Sequence, residues 1–222
     1  TQLPVLNTHK ASPEWLEQWD KYALRCAKSI DALTGFTEAV IAKEIAANLP
    51  EGSTLFVSSS RPIRDLEGFA TPRSGVTTHA NRGLAGIDGN ISTALGIALA
   101  SKQTFAVLGD LSFLHDLTGL IHREEINCTF IVINNDGGGI FSTLPQRGVD
   151  GFESVFGTPH GLDPAAIAKA MGISATTISS IDELKKTLKA AVEGISIVVA
   201  NVPSRDENAD SLKAIYESMN SI

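Results

Sequence analysis

Two clusters of oxygen-bearing side chains follow apolar runs in this chain. Gly109 and Asp110 come after TFAVL (104–108), and Asn134, Asn135, Asp136 and three glycines come after TFIVI (129–133). A carboxylate, an amide oxygen and a backbone carbonyl make an all-oxygen donor set suited to Mg²⁺, which keeps its remaining positions for water and substrate phosphates. Asp110 and Asn135 are separated by enough chain for one helix between two strands, and neighbouring strands lie about 4.8 Å apart. If the two strands are neighbours, both side chains reach one ion, and a diphosphate is the ligand that suits it best. Asn, Asp and Gly are also what surface turns need, so either cluster alone reads as turn chemistry. Their joint occurrence at strand ends is what favours a site. A dinucleotide fingerprint is a weaker fit, because GGGIF follows a strand but no G-x-G-x-x-G opens a helix.

A formal net charge of -7 over 222 residues argues against a nucleic-acid or anionic-membrane surface, since phosphate backbones call for clustered Lys and Arg. An acidic chain therefore needs a local device to hold a polyanion. A metal ion is one, and the helix opening at Leu111, with its unpaired N–H groups, is another. Gly137 to Gly139 allow positive φ and a close backbone approach to a ligand. His115, His122 and His160 lack a metal-ligand spacing and none is assigned to catalysis. His79 precedes ANRG at the edge of the same region, and Glu124 and Glu125 read as a solvated helix end.

The elements that must position these groups follow from pattern. Ser12-Pro13 is an N-cap with Pro at the first helical position, opening a helix to about Leu33; Thr37 caps a second helix to about Leu49. Strands are predicted at 54–58, 76–79, 105–108, 129–133, 176–178 and 195–201. Helices are predicted at 88–101, 111–123, 164–171, 182–193 and from 206 onward, with a long loop from 134 to about 161. Strands alternating with helices, and strands apolar throughout, predict an α/β fold: a mostly parallel sheet with helices on both faces. Ligands in such sheets bind beyond the carboxyl ends of the strands.

Hydrophobic residues make up 43% of the chain, enough for a sizeable core. Cys26 and Cys128 have no paired spacing and read as reduced thiols, and no signal peptide or membrane-spanning run is evident. A cytoplasmic location is expected. The extended, Pro-containing start, giving way abruptly to a helix, reads as a linker arriving from another domain.

The cofactor-like motif, GDLSFLHDLTGLIHREEINCTFIVINN (109–135), resembles that of thiamine-diphosphate-dependent enzymes: Gly-Asp, about two dozen residues, then Asn-Asn. Leu111 stands where most of that superfamily has Gly, Ala or Ser. With GDLSFLHDL, NNDGGGIFSTLPQ and NRGLAGIDG, it resembles the family of 2-succinyl-5-enolpyruvyl-6-hydroxy-3-cyclohexene-1-carboxylate synthases of menaquinone biosynthesis, over about residues 36–210. The resemblance implies that Asp110, Asn135 and the carbonyl of Gly137 bind Mg²⁺ and that Leu111-Ser112 help hold the diphosphate. It further implies that Ile87 wedges between the cofactor rings and that Ile140 and Phe141 line the pocket. Ser60, Arg64 and Arg82 match residues that contact substrate carboxylates, which arginine's planar fork grips two-pronged.

By the same resemblance the reaction decarboxylates 2-oxoglutarate and adds the succinyl unit to isochorismate. The family places an activating glutamate on an N-terminal pyrimidine-binding domain, reached across a subunit interface of a dimer or tetramer. Residues 36–222 would then be the thiamine diphosphate- and Mg²⁺-binding domain, residues 1–35 a linker and packing helix, and the piece inactive alone. Two other readings stay open: a domain of an acetolactate synthase or 2-oxoacid decarboxylase, and a Mg²⁺-diphosphate-binding module with no chemistry.

Overall fold

The computed structural model describes residues 12–121 and 125–220. Among these, six strands form one parallel sheet: β1 (Ser53–Val57), β2 (Val76–His79), β3 (Thr104–Gly109), β4 (Cys128–Asn134), β5 (Ser174–Ile178) and β6 (Ile195–Asn201). Their order is β2-β1-β3-β4-β6-β5. The helices are α1 (Pro13–Asp31), α2 (Glu38–Asn48), α3 (Arg61–Phe69), α4 (Asn90–Ala98), α5 (Asp110–His115), α6 (Pro164–Ala170), α7 (Ile181–Lys189) and α8 (Arg205–Asn220).

Strand residues alternate between two cores, as the two-residue period of a strand requires. Phe56, Ala106, Leu108, Phe130, Val132 and Val199 pack with Ile91 of α4, Phe113 of α5 and Ala165 of α6. Leu55, Val57, Phe105, Ile131, Ile133 and Val198 pack with Ile41 of α2 and Leu184 of α7, and Ile63 and Leu66 of α3 join that side. The placement follows from right-handed crossovers. Connections running one way along the sheet, through α4, α5 and α6, lie on one face; those running back, through α3 and α7, lie on the other. The chain after β1 therefore turns to the opposite face from the chain after β3, although the two strands are neighbours. Their carboxyl ends diverge, and a crevice opens between them of the kind in which α/β sheets bind ligands.

Residues 34–213 form one compact unit; residues 12–33, with 214–220, cluster as a second. In the second, Ser12 Oγ caps α1 by accepting from Trp15 N–H at 3.3 Å. No residue of α1 is buried, and Trp15 and Trp19 meet edge-to-face at 5.8 Å. Both cysteines are free thiols; burial pushes the Cys128 thiol up to about 12. Among the described residues no helix is long and apolar enough to cross a membrane.

The structure departs from the predicted elements in three places. Helix α3 was not anticipated. The helix expected over 111–123 is the short α5 followed by a 3₁₀ turn at Leu117–Ile121, broken at Asp116, whose carboxylate accepts from Ser92 N–H at 2.7 Å; residues 122–124, with His122 and Glu124, and residues 1–11 lie outside the described residues. Thr37 occupies the N-cap of α2 without a side-chain capping bond. Asn208 of α8 supplies the acceptor instead, its Oδ1 3.2 Å from Glu38 N.

Candidate functional site

The crevice between the ends of β1 and β3 deepens into a cavity of about 350 Å³ lined by residues from α2, α3, the 85–87 loop, α5 and the loop after β4. Gly109 pairs with Ile133 across β3 and β4, so the two polar clusters meet at one sheet edge as the spacing predicts. Asp110 is 2% exposed. Its Oδ2 accepts from Gly137 N–H at 2.9 Å and Asn135 N–H at 3.2 Å, and its Oδ1 from Leu111 N–H at 2.7 Å. Burial raises the Asp110 carboxyl above the ordinary aspartate range, against the pull of the Gly137 and Leu111 N–H groups and of His160.

His160 Nε2 lies 3.3 Å from Asp110 Oδ2, while His160 Nδ1 accepts from Leu162 N–H at 3.0 Å. With Nδ1 accepting from Leu162 N–H, Nε2 is the nitrogen that donates to Asp110. Asp136 Oδ1 accepts from His160 N–H at 3.0 Å and Gly161 N–H at 2.7 Å. The 157–161 segment is thereby fastened over the Asn135–Gly139 loop, a contact that no local sequence signal announced.

Asn135 has its Nδ2 2.5 Å from Glu38 Oε1, and its Oδ1 is buried with no hydrogen-bond partner. An orphaned buried oxygen costs about 1–3 kcal/mol, so its retention beside Asp110 marks a place for a ligand that accepts an electron pair. A Mg²⁺ ion fits: Asp110, Asn135 Oδ1 and a loop carbonyl are hard oxygen donors. Among the described residues no group of three or more His, Cys, Asp or Glu could hold a metal, as expected of a set with a single carboxylate.

The three glycines line the cavity and are also required by close approaches within the chain itself. A Cβ on Gly137, whose φ is +131°, would sit 2.2 Å from Gly157 O; one on Gly138 would sit 2.3 Å from Phe156 O, and one on Gly139 2.3 Å from Asn135 Nδ2. The loop is closed against its own chain, and Gly138 N–H donates to Gly157 O at 2.8 Å. Gly137→Ala should destabilise the protein by at least the roughly 1–3 kcal/mol of a strained backbone, read as a lowered Tm; an unchanged Tm would show that the loop relaxes freely.

The cavity gathers most of the predicted residues: Ser60, Ile87, Leu111, Ser112, Ile140 and Phe141, beside Asp110, Asn135 and Gly137. Ser60 precedes α3 with φ +75°, a strained value of the kind that clusters at functional sites. Ser112 is committed locally: its hydroxyl donates to Ile87 O at 2.9 Å and accepts from Asn90 Nδ2 at 2.9 Å. It and the fully buried Asn90 thus set the position of Ile87. Phe141 meets Phe156 in a tilted contact, ring centroids 5.4 Å apart.

Arg64 and Arg82 are exposed and outside the lining; the Arg64 guanidinium donates to Ser60 O at 2.8 Å. His79 and His115 are exposed as well. Sequence reading missed Glu38, Arg61 and Asp65, which also line the cavity. Arg61 lies 3.3 Å from Glu38 Oε2 and pairs closely with Asp65. Burial pushes the Asp65 carboxyl up to about 7, with Arg61 opposing.

Comparison with known proteins places the chain in a family. Residues 64–202 match the family model described as "Thiamine pyrophosphate enzyme, C-terminal TPP binding domain". The 2-succinyl-5-enolpyruvyl-6-hydroxy-3-cyclohexene-1-carboxylate synthase of Thermobifida fusca is 43% identical over 198 residues, covering 86% of this chain and 35% of that protein. The synthase of the same name from Bacillus cytotoxicus is 43% identical over 214 residues, 91% of this chain and 36% of that protein. The chain thus spans little more than a third of these relatives. Among solved structures, benzoylformate decarboxylase from Polynucleobacter necessarius superposes with a TM-score of 0.57 at 20% identity, over 74% of this chain and 33% of that one. That likeness speaks for the fold alone.

Proposed function

The chain belongs to the thiamine pyrophosphate enzymes, as a C-terminal TPP binding domain, and from that premise we propose that it is the diphosphate- and Mg²⁺-holding part of a 2-succinyl-5-enolpyruvyl-6-hydroxy-3-cyclohexene-1-carboxylate synthase. The observation that carries the metal half of this reading is Asn135 Oδ1, buried and unpartnered beside the buried Asp110 carboxylate. The synthase assignment rests on relatives of that name at 43% identity and on Leu111, Ser60, Arg64 and Arg82 at matching motif positions.

In this reading Asp110, Asn135 and the Gly137 carbonyl hold Mg²⁺, which neutralises a diphosphate that an acidic chain could not otherwise keep. Leu111 and Ser112 sit where the diphosphate would lie, and Ile87, held by Ser112 and Asn90, shapes the space between the cofactor rings. Bound thiamine diphosphate supplies an electron sink for loss of CO₂ from a 2-oxoacid. The protein's own task is orientation. Ser60 and Phe141 face the space where the reacting acid would sit, beside Ile140. Arg64 is free to exchange its Ser60 carbonyl for a substrate carboxylate, and Arg82 stands exposed on the loop that leads to Ile87; the two substrates, 2-oxoglutarate and isochorismate, are both carboxylic acids.

Residues 36–222 act as the cofactor domain and residues 1–35 as linker and packing helix. An N-terminal pyrimidine-binding domain supplies the activating glutamate within a cytoplasmic homo-oligomer, so the chain alone turns over neither substrate.

The test is complementation. Mixed with a separately made N-terminal part, Mg²⁺ and thiamine diphosphate, the chain should consume 2-oxoglutarate in the presence of isochorismate. Preferential consumption of pyruvate would instead point to an acetolactate synthase or decarboxylase, and inactivity with cofactor bound would favour a binding module. Arg82→Ala should leave cofactor affinity unchanged and raise KM for a substrate acid in the complete synthase; a loss of cofactor affinity would mean Arg82 serves the cofactor.

A further inference from the structure

Asn135 offers an oxygen and an NH₂ group of nearly the same size, and only the oxygen suits a cation. Something must choose between the two orientations. Oδ1 has no protein partner, so the choice is made at Nδ2, which donates to Glu38 Oε1 at 2.5 Å. An ionised carboxylate accepts and never donates, so it admits the NH₂ end of the amide and excludes the oxygen. We propose that Glu38 is the positioning residue of the metal site, holding the Asn135 amide so that Oδ1 faces the ion. This deepens the Mg²⁺ reading above and rests on it.

Glu38 is itself fixed from three directions. It is 7% exposed, its N–H is held by Asn208 Oδ1 at 3.2 Å, and its Oε2 lies 3.3 Å from Arg61 Nε. Arg61 in turn is pinned by Asp65 four residues along α3. Gly139 closes one side of the amide: a Cβ there would lie 2.3 Å from Nδ2. A rigid acceptor thus reaches from α2, 97 positions away in sequence, to set one torsion at the end of β4. Outer partners of this kind orient metal ligands, and their loss usually costs about 10- to 100-fold in metal affinity.

The test uses Glu38→Ala, Asn135→Asp and the double variant, titrating thiamine diphosphate by calorimetry with Mg²⁺ and with a chelator. Glu38→Ala leaves Arg61 paired with Asp65, and thermal unfolding without metal checks that the fold persists. Its Mg²⁺-dependent affinity should fall about 10- to 100-fold, because the freed amide can turn its NH₂ toward the cation. Asn135→Asp alone should also weaken binding, since it sets a second carboxylate against Glu38. The double variant should recover most of the loss, because a carboxylate at position 135 presents an oxygen in either orientation. Merely structural damage at Glu38 would not be repaired by a change at position 135. Glu38→Ala binding like wild type, or a double variant no tighter than Glu38→Ala, would overturn the inference. Wild-type protein with no Mg²⁺-dependent binding would overturn the metal reading itself.

Discussion

Asp110→Ala abolishes Mg²⁺-dependent binding of thiamine diphosphate, with a loss beyond the roughly 10- to 100-fold that removal of an outer partner costs. Asp110 is the only carboxylate in the proposed donor set, so the substitution removes the set's whole formal charge. It also leaves the N–H groups of Leu111, Asn135 and Gly137 without the oxygens they now reach, which loosens the loop that presents the other two donors. Asp110→Asn separates the contributions, since it keeps an acceptor of the same shape while deleting the charge. If both variants bind as tightly as wild type in a Mg²⁺ calorimetric titration, Asp110 is not a ligand.

Arg61→Met destabilises the folded chain by about 3–5 kcal/mol above neutral pH, the cost of breaking a buried pair by removing one partner. Here the cost falls on two carboxylates, because Glu38 and Asp65 share this one guanidinium. The pH dependence has a definite sign. Asp65 has its folded pKa pushed from 3.8 to about 7 by burial. Its contribution to stability is therefore full below about pH 4 and is lost as pH rises toward 7. Without Arg61 the main pull toward ionisation is gone and only that of Arg64 remains, so the penalty should be large at pH 8 and small at pH 5, where protonation relieves Asp65. Urea unfolding at the two pH values measures it. Equal, small effects at both would mean that water reaches the cluster and that the pair is only nominally buried.

These two residues show what a sequence discloses and what it withholds. Asp110 and Asn135 were legible because each ends an apolar strand, and the helix-length gap between them brings parallel neighbours into register. Arg61 was not. Its partners lie 23 positions back and four ahead, and nothing in the local pattern says that Asp65, on a helix with three other charged residues, points inward. Helix α3 was missed although Pro62 is a start signal and Pro62, Ile63, Leu66 and Phe69 recur at helical spacing; it is only nine residues long, and a charged residue, Asp65, sits among its buried positions. His160 lacks a ligand spacing in sequence, yet it contacts Asp110 from 50 positions away. The glycines of NNDGGG signal a close approach in sequence, but the neighbours they meet, Phe156 to Thr158 for Gly137 and Gly138 and the Asn135 amide for Gly139, are visible only with the chain folded.

A calorimetric titration of thiamine diphosphate into this chain, once with Mg²⁺ and once with a chelator, tests the central claim most directly. Saturable binding that disappears with the chelator is the predicted result, because Asp110, Asn135 Oδ1 and the Gly137 loop are already assembled. Binding of equal strength with the chelator would contradict it, since the orphaned amide oxygen would then have no cation to serve.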